Sequence, residues 1–183
     1  MLYLFLLFVF PSIVVQSSTS CVCTTVECPE EGHNSVVMGN GYAKFDYLYT
    51  YHNAQEVVVS ASGTITPQSL DQGTETTTCT QKYSRMLEDD GDHNCDAGHI
   101  LANRLGGYGN LPVNIFPQNA GMNRGTYAQF EGKIYDYMNT GVQLGNLSWI
   151  FYYESDKHTM PNVVNYTASF DDGNEFYSLF DNI

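Results

Sequence analysis

One stretch of helical period, residues 122–138, interrupts a chain that otherwise reads as β-structure, and this limits the folds open to it. Starting near Met122 or Asn123, the apolar residues Tyr127, Phe130, Ile134, Tyr137 and Met138 recur at steps of three, four and one. That spacing gives one buried helix face. Gly141 is a natural stop. On the N-terminal side, residues 42–52 and 56–66 alternate or carry β-branched runs, and they read as strands joined by a short polar turn. Residues 147–155 and 162–170 make a second such pair. Residues 18–35 read as polar loop, and residues 67–94 show little periodicity, with room for strand or short helix. The pattern predicts an α+β fold in which a mixed or antiparallel sheet packs around one central helix.

The first fifteen residues are almost wholly apolar and are followed by small residues near Ser17, which reads as a secretory signal peptide over residues 1–17. The run is shorter than the roughly 20 residues a membrane-spanning helix needs, so stable membrane association is not expected. A cysteine-bearing segment over residues 18–35 and a single domain over residues 36–183 follow. The implied destination is extracellular, where most of Cys21, Cys23, Cys28, Cys79 and Cys95 should be paired. A Cys79–Cys95 bridge would pin the chain ahead of residue 96, and the Cys21/Cys23 cluster would tie down the new N-terminus; other pairings stay open. A zinc site on Cys21, Cys23 and Cys28 is the rival, although the spacing matches no usual ligand pattern. Asn146 in "NLS" and Asn165 in "NYT" are acceptors for surface glycans in a eukaryotic secretory route.

Charge weighs against a protein that grips long nucleic acids. Seven basic residues face twenty acidic ones, a formal net charge of −13, whereas phosphate-binding surfaces are usually basic. The cations are nevertheless concentrated: Arg104, Arg124 and Lys133 fall in or just beyond residues 95–131. A small positive or metal-filled focus in a repelling surface is the expected picture.

That segment, "CDAGHILANRLGGYGNLPVNIFPQNAGMNRGTYAQFE", carries side chains that make poor core. A neutral imidazole titrating near pH 6.5, such as His99, can take a proton from water. Asn123, Tyr127 and Glu131 stand at i, i+4 and i+8 and point to roughly one side of a regular helix. At ~1.5 Å rise per residue, Asn123 and Glu131 are about 12 Å apart along the axis. Both cannot be inner ligands of one ion, so one would bind directly and the other hold the ion's waters. Each residue also has an ordinary role. His99 would be a hydrogen-bonded core histidine, Asn123 a helix N-cap, Glu131 a solvent-facing residue, and Asn114 a part of the "NIFPQ" turn. Arg104 and Arg124 would be partners of surface carboxylates. His33, His52, His93 and His158 read as structural or surface, with His93 the one to test.

Taken together, "DAGH", "NIFPQ", the asparagine opening a helix and the glutamate eight residues later resemble the DNA/RNA non-specific endonuclease family of the ββα-metal superfamily. The likeness is to the members with D-A-G-H in place of D-R-G-H. The resemblance covers residues 96–131 and implies a ββα-metal nuclease core. It implies His99 as general base, Asn123 as direct ligand of a divalent cation, and Glu131 as a group acting on that cation through water. Asn114 would brace the site, Asp96 would fix the strand and turn that present His99, and Arg104 and Arg124 would bind substrate phosphate. Mg²⁺ is the first choice of cofactor and Mn²⁺ the second. A neutral amide ligand leaves the ion its full charge and most of its waters. With water as attacker, DNA and RNA are both substrates, and 5′-phosphate and 3′-hydroxyl products are implied. Ala97 removes a guanidinium beside His99, which leaves phosphate to Arg104, Arg124 or the metal. A phosphodiesterase acting on smaller substrates and an inactive secreted binding module are the alternatives.

Overall fold

The computed structural model describes residue 23, residues 25–87 and residues 95–183. Residues 1–17, read as a signal peptide, and His93 lie outside the described residues. The elements run β1 (Gly32–Met38), β2 (Ala43–His52), β3 (Gln55–Ile65), α1 (Thr78–Met86), β4 (Asp96–His99) and β5 (Ile115–Gln118). They continue with α2 (Ala120–Met122), α3 (Ala128–Met138), β6 (Gly145–Tyr152), β7 (Val163–Phe170) and β8 (Glu175–Asp181). Six strands form one sheet in the order β1-β2-β3-β6-β7-β8, every neighbouring pair antiparallel, and β4 and β5 pair separately. The fold is α+β, and both sheets are antiparallel.

One face of the large sheet is covered. In β6, Leu147, Trp149 and Phe151 are buried while Asn146, Ser148 and Ile150 between them are exposed, the period-2 pattern of a half-covered strand. Tyr127, Ile134 and Met138, on the helical run after β5, join that core. Burying each such side chain contributes roughly 1.5–3 kcal/mol. One polar chain crosses the interface: Trp149 Nε1 donates to Tyr127 Oη at 2.9 Å, and Tyr127 Oη donates to the Ile100 carbonyl at 3.4 Å. Sheet, helix and the loop after β4 are thereby fixed to one another.

Several expectations change. β1 begins at Gly32, inside the stretch read as polar loop. As an edge strand it buries only Met38 fully, so its sequence lacks a strong apolar alternation. The helical run starts at Ala120, because Asn119 Oδ1 caps it by accepting from Gly121 N at 2.8 Å and Met122 N at 3.1 Å. Asn123 is therefore inside the helix and is not its cap. Cys79 is bonded to Cys23, not to Cys95, so the bridge joins the N-terminal segment to α1 and not α1 to β4. Cys28 is also disulfide-bonded, which removes the proposed zinc ligands Cys23 and Cys28. Cys95 is buried, its sulfur 3.4 Å from that of Met160.

Candidate active site

β4 is the four residues D-A-G-H, and the strand period sends Asp96 and Gly98 to one face and Ala97 and His99 to the other. Gly98 lies against Gln118 of β5; a Cβ there would run into Gln118 Oε1 and come within 2.6 Å of Gln118 Cβ, so no larger residue fits. His99 ends the strand with Nε2 3.0 Å from the Thr74 carbonyl oxygen. A carbonyl only accepts, so Nε2 carries the proton and the lone pair of the neutral ring is on Nδ1. Burial holds the His99 pKa below its ordinary value; the Thr74 hydrogen bond and the charge of Glu75 act against that shift. Glu75 is itself held by Asn103 Nδ2 at 2.6 Å.

Asp96 is the hub of a second cluster. Its carboxylate accepts from Asn123 Nδ2 at 2.9 Å, from Arg124 Nε at 2.9 Å and from Arg124 Nη2 at 2.6 Å. Partial burial pushes the Asp96 pKa up, but the Arg124 and Asn123 hydrogen bonds and the Arg124 charge outweigh it and leave it lowered. With Nδ2 committed to Asp96, Asn123 turns its amide oxygen away from the carboxylate. Asn123 begins a π-helical turn, Asn123–Tyr127, in which Gly125 departs from helical geometry (φ −111°, ψ −108°). Such a turn adds about one residue and shifts the phase by roughly 100°, so the i, i+8 relation of Asn123 to Glu131 in a regular helix does not apply.

Glu131 is half-buried in α3, and burial pushes its pKa up to about 8 against the opposing charge of Arg104. Arg104 reaches α3, where a Cβ at Gly132 would stand 3.3 Å from Arg104 Nη1. Lys133 stacks on Phe176, 3.8 Å from the ring centre. Asn114 is fully buried beneath the loop that follows His99. Its Oδ1 accepts from Tyr47 Oη and Leu101 N, both at 2.9 Å, and its Nδ2 donates to the Leu101 carbonyl at 3.0 Å. His52 and His158 are linked by the bond between His52 Nδ1 and the His158 carbonyl at 2.9 Å, a structural arrangement.

Between α1 and β4 opens a polar cavity of about 240 Å³, lined by Thr76, Gln81, Arg85, Asp96, Ala97 and Asn123 among others. His99 is not among the residues lining it, but its Nε2 lies close to the backbone nitrogen of Thr76, which does line it, since a Cβ at Gly109 would run into both atoms. The structure thus brings Asp96, Asn123 and Arg124 into direct contact, sets His99 next to Thr76 of the cavity wall, groups Glu131 with Arg104, and keeps Asn114 under the loop. Among the described residues no three His, Cys, Asp or Glu side chains converge on a metal position. The donor available is the neutral oxygen of Asn123, a hard ligand suited to an ion that keeps most of its waters. Thr74, Glu75, Thr76, Gln81 and Arg85 escaped the sequence reading. The one signal was the Thr77/Thr80 capping box of α1, which has Thr in place of the usual Glu or Gln at its third position.

An antiparallel β-pair followed by a helix and backed by a six-stranded sheet is a nuclease-like frame, and the comparisons agree. The fold is similar to the crystal structure of NucA from Streptococcus agalactiae with magnesium ion bound. The TM-score is 0.50 at 15% identity, covering 82% of this chain and 84% of that one. It is equally similar to NucA from the same organism with no metal bound, with a TM-score of 0.51 at 17% identity over 90% and 86% of the two chains. At those identities the likeness shows the fold. In sequence, the chain is 34% identical over 131 residues to the probable deoxyribonuclease RhsA of Dickeya dadantii (strain 3937). That match spans 72% of this chain and 9% of the relative. Residues 40–169 match the model of the DNA/RNA non-specific endonuclease family, and the chain belongs to that family.

Proposed function

We propose that this chain is a secreted, metal-dependent endonuclease that hydrolyses phosphodiester bonds of both DNA and RNA. The observation that carries the reading is the Asn123–Asp96 hydrogen bond, which fixes the amide with its oxygen directed away from the carboxylate, in the wall of a polar cavity whose Thr76 lies next to His99. Asn123 would hold Mg²⁺, or Mn²⁺ as second choice, with Glu131 acting through water, and the ion would supply positive charge to the phosphate oxygens and the departing oxygen. His99 Nδ1 takes the proton of the attacking water while the Thr74 carbonyl holds the ring in the required tautomer. Asp96 orients Asn123, and Asn114 anchors the loop behind His99. Arg104 binds substrate from the Glu131 side. Arg124 does so from the Asp96 side, with a side chain that is 73% exposed even while paired.

The Cys23–Cys79 disulfide supports an oxidising destination, and among the described residues no helix is long and apolar enough to cross a membrane. Asn146 is exposed on the uncovered face of the large sheet, where a glycan would not obstruct the cavity; Asn165 lies on the same face but is half-buried, with its Oδ1 enclosed. A phosphodiesterase acting on smaller substrates is the second reading, favoured by the net charge of −13. Incubating the chain with plasmid, RNA and a dinucleotide, each with Mg²⁺, with Mn²⁺ and with chelator, separates the readings. Degradation of both polymers that chelator abolishes is expected; cleavage of the dinucleotide alone would replace the proposal by the second reading.

A further inference from the structure

We infer that Arg85, in the last turn of α1, is a phosphate-binding residue that supplies from the helix the guanidinium absent at Ala97. The inference rests on the endonuclease reading. Ala97 and Arg85 line the same cavity, together with Asp96 and Asn123. The helix is held at this place by two contacts: Ser84 Oγ donates to the Asp96 carbonyl at 3.3 Å, and Thr80 Oγ1 to the Gly109 carbonyl at 2.7 Å. Arg85 is therefore presented to the cavity by an element packed on the strand that carries His99.

Its electrostatic state differs from that of the other cations nearby. Arg124 is tied to Asp96 by two hydrogen bonds, and the charge of Arg104 acts on Glu131. Arg85 is exposed and forms no ion pair among the described residues. Among the described residues that line the cavity, the charged ones are Arg85 and Asp96, and Asp96 is paired with Arg124. A guanidinium with no ion-pair partner among the described residues, facing a polar cavity, is suited to bidentate contact with phosphate. The cavity, about 240 Å³, has room for a phosphate group and several waters. Gln81, one helical turn before Arg85, and Thr76 add neutral polar groups to the same wall. An acidic chain can in this way hold a polyanion through one small positive focus.

Steady-state cleavage of duplex DNA with Mg²⁺ tests the assignment. Arg85→Ala should lower kcat/KM roughly 10- to 100-fold, the loss of one charged hydrogen-bond partner, mostly through KM. Its log affinity against log salt should lose about one unit of slope. Arg85→Lys should fall between the variant and the parent because it keeps the charge and loses the fork. Ala97→Arg placed in the Arg85→Ala chain should recover part of the loss, which a merely structural Arg85 would not allow. Lys82→Ala, on the same helix and outside the cavity, should match the parent. If Arg85→Ala keeps the parent's kcat/KM and salt slope while His99→Ala is inactive, the inference is wrong and the endonuclease reading stands. A parent chain inert on DNA and RNA with either metal overturns both.

Discussion

At the scale of single residues, two neutral side chains, His99 and Asn123, are each held in one orientation by a hydrogen bond. His99 donates through Nε2 to the Thr74 carbonyl and is held below its ordinary pKa chiefly by burial. Its neutral, basic form therefore persists to lower pH than that of a free histidine. The pH profile of kcat/KM should accordingly show an acid limb below pH 6.5, measured as initial rates across a buffer series; a limb centred above that value would contradict the burial argument. Stability moves in the same direction. The folded state binds fewer protons than the unfolded one near pH 6, so the His99 contribution is complete above pH 6.5 and is lost as pH falls below it. The sequence pointed to His99, Asn123 and Glu131 because they lie within one compact motif; the structure ties Asn123 to Asp96 and groups Glu131 with Arg104. Arg85 and Glu75 escaped the sequence reading, because they come from a stretch without periodicity and only folding brings Arg85 to the cavity and Glu75 near His99. The role of Asp96 was half legible: its place at the head of the strand was clear, but its bond to Asn123 joins residues 27 apart in sequence.

At the scale of elements, the helix after β5 is the piece that links core to chemistry. Its apolar face was readable from spacing, yet the π-turn over Asn123–Tyr127 was not, because Gly125 sets the backbone there and no side-chain pattern announces it. β2, β6 and β7 were readable because each buries one face, and β3 because of its β-branched run, of which Val57 and Val58 are both buried. β8 was not: Phe176, Tyr177, Leu179 and Phe180 put apolar groups on both parities, which erases the alternation. The link itself is testable. Tyr127→Phe removes the hydroxyl that accepts from Trp149 and donates to Ile100 while keeping the ring. The buried Trp149 Nε1 would then lack its partner, and urea unfolding should show a loss of about 1–3 kcal/mol. An unchanged midpoint would mean that the helix is held by apolar packing alone.

For the whole molecule, the fold class and the family-specific segment were legible, whereas the covalent frame was not, since cysteine spacing does not reveal which chain ends meet. The Cys23–Cys79 bond spans 56 residues and on loop-entropy grounds contributes about 4 kcal/mol, fastening the N-terminal segment to the helix that carries Arg85. The acidity of the chain, −13 overall, is compatible with the proposed polyanionic substrate because Arg85 borders one cavity and Arg104 reaches one helix. The central claim is that His99 removes the proton from the attacking water. It is tested most directly by the initial rate of plasmid cleavage with Mg²⁺ for His99→Ala against the parent chain, with thermal unfolding of both as the control. A loss of at least about 100-fold at an unchanged unfolding midpoint is predicted; a folded variant that cleaves within a factor of a few of the parent would contradict it.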